Sequence, residues 1–104
     1  MRNTGDRRTG RTTRMLADAV GCAEKGELAL VVMTDARMID YAIDIATRLA
    51  TERGLVPAYT RTLRRLCLPT GGTIRFFTTS EEDMERMRGL SGTLLRDHLA
   101  KGVP

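Results

Sequence analysis

No tryptophan occurs among the 104 residues, and aromatic side chains make up only 4% of them. So few rings argue against a protein that reads single strands by stacking bases on aromatic platforms. Cysteine is nearly absent as well. Cys22 and Cys67 have neither the number for a disulfide framework nor the spacing of zinc ligands, and they read as free thiols in a reducing cytosol. No apolar run approaches the ~20 residues of a membrane span. The opening stretch MRNTGDRRTGRT lacks the apolar centre of a signal peptide. Repeats, low-complexity tracts and linkers are missing, and 104 residues leave no room for a second core. Residues 1–104 are therefore expected to form one domain, in the cytoplasm.

What is present is charge, unevenly placed. The net charge is +4. The first fourteen residues hold all of it, with Arg2, Arg7, Arg8, Arg11 and Arg14 set against Asp6, while the remaining ninety balance twelve basic against twelve acidic side chains. Such a cluster either stays solvated or meets an anion, the phosphate of a nucleotide or the backbone of a nucleic acid.

Hydrophobic periodicity supplies the elements. Leu16, Ala19, Val20 and Ala23 recur at helical steps and predict a helix from Thr12 to about Glu24, closed near Gly26. Leu28 to Met33 is a continuous apolar run, the pattern of a strand buried on both faces. Ala36 to Arg53 predicts a second helix, with Asp35 as its cap and Ile39, Ala42, Ile43, Ala46, Leu49 and Ala50 along one face. Thr62 to Leu68, the turn Pro69-Thr70-Gly71-Gly72, and Thr73 to Thr79 read as strand, turn and strand, with Ile74 and Phe76 on one face and Phe77 on the other. Ser80, followed by Glu81, Glu82 and Asp83, opens a third helix that ends near Gly89. Thr93 to Arg96 is a short final strand. The alternation predicts an α/β layer fold, three layers at minimal size, with a small, mostly parallel sheet flanked by helices.

Gly5-Asp6-Arg7-Arg8-Thr9-Gly10-Arg11-Thr12 has the spacing of a phosphate-binding loop, G-x-x-x-x-G-K-[ST], with Arg11 in the lysine position. Glycines let such a backbone curl so that consecutive amides face phosphate oxygens. A helix starting at Thr12 aims its positive end at the same anion. On this reading Gly5, Thr9, Gly10, Arg11, Thr12 and Thr13 bind phosphate, and the Thr12 hydroxyl ligates Mg²⁺. The matching acid is Asp97, at the end of the apolar strand Thr93 to Arg96, as a second metal ligand. His98 follows it and is a candidate weak base.

Gly10-Arg11-Thr12-Thr13-Arg14-Met15-Leu16 resembles the GRTTRxL stretch of small bacteriophage proteins that look like a cut-down P-loop ATPase core, of the kind found in DNA-packaging terminases and related helicases. Gly71-Gly72-Thr73-Ile74-Arg75-Phe76-Phe77 is similar to their G-G-x-I-x-F strand. Arg88-Gly89-Leu90 is similar to the step before their acidic strand, and Leu94-Leu95-Arg96-Asp97-His98 stands where that strand ends. The order agrees over nearly the whole chain. The resemblance implies a P-loop NTPase-like fold, ATP or another nucleotide with Mg²⁺, and work connected with DNA in a host cytoplasm. It departs from the family in arginine for lysine, histidine for glutamate, and the lack of a strand before Gly5. Weak or no hydrolysis is expected of a chain so altered. Two other functions fit the residues: a degenerate ATPase that binds a host or phage protein, or a second copy of itself, along an open sheet edge, and a sequence-blind nucleic-acid binder that uses its arginines.

Overall fold

The computed structural model describes the backbone of residues 4–96 and the side chains of residues 12–96. Its elements are α1 (Thr4–Glu24), β1 (Leu28–Val32), α2 (Ala36–Glu52), β2 (Ala58–Thr60), β3 (Arg65–Cys67), β4 (Thr73–Phe77), α3 (Glu81–Met87) and β5 (Thr93–Arg96). The strands form one five-stranded sheet in the order β2-β3-β4-β1-β5. β1 lies parallel to both β4 and β5, whereas β2, β3 and β4 are antiparallel neighbours. The sheet is thus mixed rather than mostly parallel. The reason is local: Leu68 and Gly72 close a tight hairpin between β3 and β4, with Leu68 N donating to Gly72 O over 2.9 Å, and a hairpin forces antiparallel pairing.

Three layers result. On one face α1 and α2 pack side by side, burying Leu16, Val20 and Ala23 with Ile39, Ala42 and Ala46 against Val31, Leu66, Ile74 and Phe76. On the other face Met84, Met87 and Leu90, in and just after α3, cover Leu30, Val32 and Phe77. β1 contributes Ala29 and Val31 to the first layer and Leu30 and Val32 to the second. Its unbroken apolar run has that physical origin. Asp35 caps α2 by accepting from Met38 N at 3.0 Å, and Ser80 caps α3 by accepting from Asp83 N at 3.2 Å. Both starts match the residue types that predicted them.

Gly72 marks the tightest seam. A Cβ there would stand 1.8 Å from the carbonyl oxygen of Ala23, and the neighbouring Thr70 hydroxyl donates to that same oxygen at 2.6 Å. The last turn of α1 is therefore fastened to the amino end of β4. From there α1 climbs back along the sheet.

Here a second expectation is corrected. α1 begins at Thr4, not Thr12, so the backbone through Gly5 and Gly10 is helical. Amides deep inside a helix donate to carbonyls four residues back. Those of Thr9 to Thr13 are committed in that way and do not curl into a cradle. Once the apolar stripe of Leu16, Ala19, Val20 and Ala23 anchors a helix, each residue added at its amino end gains one hydrogen bond at small cost. Among the described residues no helix is long and apolar enough to cross a membrane.

Candidate functional site

Two parallel neighbours, β1 and β4, send the chain to opposite faces of the sheet. β1 feeds α2, on the layer shared with α1, and β4 feeds α3, on the other. Where connections diverge in this way, a crevice opens beyond the carboxyl ends of the strands, the place where open α/β sheets take ligands. Here it measures about 720 Å³, within the range of small-molecule sites. Thr34 and Asp35 line it from one strand end, and Thr78, Thr79 and Ser80 from the other. Arg61, Thr62 and Arg64 close it from the turn between β2 and β3, with Glu82, Asp83 and Arg86 from α3.

Asp83 organises the floor. It is a buried carboxylate, and its Oδ2 accepts from Thr78 N at 2.7 Å and from the Thr78 hydroxyl at 2.8 Å. Arg64 lies 3.5 Å from Oδ2, and Arg86 lies 3.6 Å from Oδ1. One carboxylate therefore joins the end of β4, the helix α3 and the β2–β3 turn. Burial is tolerable because the charge is met by two guanidinium groups and an amide.

The acids lining the crevice are engaged, since Asp35 caps α2, Glu82 holds Arg86 at 3.1 Å, and Asp83 sits in the floor. Arg61 forms no ion pair among the described residues. Arg64 adopts φ 46°, a left-handed conformation that costs a residue with a Cβ ~1–2 kcal/mol. Such strain persists where surroundings over-determine it, and it gathers at functional sites. Beside this wall, partial burial raises the phenol of Tyr59 above its ordinary 10.0; Asp40 adds to the rise, while Arg64 and Arg61 oppose it.

The sequence-derived residues fare unevenly. Thr12 is buried within α1, at 2% exposure, and is not without a partner. Thr13 is half-buried beside it. For Gly5, Thr9, Gly10 and Arg11 only the helical backbone is described, and Asp97 and His98 lie outside the described residues. Thr12 does not fit as a Mg²⁺ ligand: a buried residue well inside a helix is unlike one presented at a helix start. Among the described residues, no three His, Cys, Asp or Glu side chains gather as a metal site. Arg88 is an exposed helix-end charge, 3.3 Å from Glu85. Cys22 and Cys67 are free thiols, each half-buried. Sequence reasoning missed Arg61, Arg64 and Asp83 as one group. The signal available was Asp83 three residues after Ser80, but nothing in the order of residues brings the β2–β3 turn to it.

Compared with family models, with curated proteins and with solved structures, the chain has no match.

Proposed function

We propose that the chain binds a nucleotide, or another small phosphate-bearing molecule, in the crevice between the ends of β1 and β4, with weak or no hydrolysis. The supporting observation is the crevice itself, set where two parallel strands part and walled by Arg61, Arg64 and Arg86. Arg61 supplies a guanidinium with no carboxylate partner among the described residues. Arginine's planar fork suits paired phosphate oxygens. Thr79 also lines the crevice and offers a neutral hydrogen-bonding group, whereas the hydroxyls of Thr78 and Ser80 are engaged with Asp83 and the start of α3. α2, of 17 residues, starts at the crevice and adds the positive end of its dipole. The arginine-rich stretch at the amino end is read as assisting anion capture through charge rather than through loop amides, since its backbone from Thr4 on is helical.

Thermal unfolding with and without ligand tests this reading. ATP, ADP, GTP or pyrophosphate at 100 times its Kd adds about 2.7 kcal/mol, which raises the Tm of a domain this size by roughly 10–20 °C. Arg61→Gln is expected to remove most of that rise while leaving the ligand-free Tm within about a degree or two of the parent. Repetition with and without Mg²⁺ shows whether the metal takes part. No shift with any of these ligands at millimolar concentration defeats the proposal.

A further inference from the structure

A second group of arginines lies away from the crevice, on a face of the sheet. Arg65 of β3 and Arg75 of β4 are direct cross-strand partners, so their side chains leave the sheet side by side. Thr60, paired with Arg65, shares that face. α3 covers the same face only over β1 and the end of β4: its apolar cluster takes Leu30, Val32 and Phe77, and no side chain from β2 or β3. The arginine pair therefore stands on the part of the sheet that α3 leaves open.

Its chemistry is unbalanced. Like charges directly opposite on two strands repel. Each Nε is buried and finds no hydrogen-bond partner among the described residues, which leaves part of its desolvation cost uncompensated. Neither arginine forms an ion pair among the described residues. Arg75 stacks on Phe77 instead, 5.3 Å from the ring centroid, which holds its guanidinium over the sheet. Hollows open on either side of Arg75. One of about 260 Å³ is shared with Arg65, with Glu27 in its wall, and one of about 270 Å³ with Arg64 and Arg86. The second hollow shares Thr62, Arg64, Asp83 and Arg86 with the crevice. Arginines thus follow one another from Arg65 through Arg75 to Arg64 and Arg61.

We infer that Arg65 and Arg75 grip the phosphodiester backbone of a nucleic-acid strand laid across the open face of β3 and β4. A row of guanidinium groups longer than one phosphate fits a polyanion better than a single small ion. The lack of exposed aromatic rings on this face makes the grip indifferent to base identity. An anion placed between the two arginines also removes their mutual repulsion. The row shares Arg61 and Arg64 with the crevice, whereas Arg65 and Arg75, on which the test acts, line no part of it.

Fluorescence anisotropy with a labelled twenty-nucleotide oligo-thymidylate, titrated with the full chain at several salt concentrations, provides the test. Two phosphate contacts contribute ~1.4 to the slope of log K against log salt for a single strand. Arg65→Gln with Arg75→Gln should reduce the slope by that amount and weaken binding about sixty-fold at 50 mM salt. The paired substitution to lysine should keep the slope, because the charge remains. The melting temperature of the glutamine pair should match or exceed that of the parent, because repulsion is removed. Arg48→Gln, on α2 and paired with Asp44, controls for net charge. An unchanged slope in the glutamine pair overturns the inference. So does an equal loss in Arg48→Gln, or binding of pyrophosphate but not of the oligonucleotide.

Discussion

β1 and β3 lie one strand apart in the same sheet and obey different rules. β1 is covered on both faces, by α1 and α2 on one side and by the cluster around α3 on the other, and every residue from Ala29 to Val32 is buried. β3 is covered on one face only. Leu66 points into the core, while Arg65 and Cys67 stay half-buried on the other side. Parallel strands are roofed by their own crossover helices, and a hairpin annex is not. Stability is therefore concentrated where the sheet is doubly covered, and charge collects where the cover ends.

The sharpest way to break this comparison is on a single strand. Phe76 and Arg75 are adjacent on β4 and face opposite sides. Phe76→Ala should cost about 3–5 kcal/mol, because the ring is buried at 2% exposure and its loss leaves a cavity. Denaturant melts should place Arg75→Gln within about 0.5 kcal/mol of the parent. Equal costs would mean that the open face is as structural as the core. Next in size is Gly72→Ala. Its new methyl meets the Ala23 carbonyl, so α1 must shift, at a cost of about 1–3 kcal/mol. A melting temperature equal to that of the parent would show that the α1 seam is loose.

The smallest effect belongs to Tyr59, on the exposed strand β2. Its phenol pKa is raised above 10.0, first by partial burial and then by Asp40. The folded state therefore holds that proton more tightly than the unfolded chain. The sign follows: there is no effect on stability below pH 10, and a small loss as pH rises through the raised value. In Tyr41→Phe, leaving Tyr59 as the one tyrosine, the ultraviolet titration midpoint should lie above 10.0, and Asp40→Asn should bring it down. A midpoint at or below 10.0 would show that β2 is as open as a free chain.

Much of the fold was readable in advance where burial imposes a pattern. Leu28 to Met33 announced a doubly covered strand, Pro69 to Gly72 a hairpin, and Asp35 and Ser80 two helix starts. β2 escaped notice because Ala58 and Tyr59 are exposed, so no alternation marks them. On α2 the buried set includes Ile45, while Ile43 and Leu49 are only partly covered, because α1 lies against one flank of the stripe and shifts the buried line. The glycine spacing from Gly5 to Thr12 matched a loop motif, yet the segment is helical. Spacing specifies which residues are available, not the dihedral angles they take.

Composition and order alone determined the layered α/β class, the doubly buried strand, the hairpin and the caps, since each follows from local periodicity or from one side chain meeting a nearby amide. Only the tertiary structure decided that α2 and α3 leave on opposite faces, that Asp83 meets Arg64 across the crevice, and that Arg65 stands opposite Arg75. Those relations join segments separated along the chain, through strand register and helix side. Register and side are set by how the whole core closes, not by any one segment.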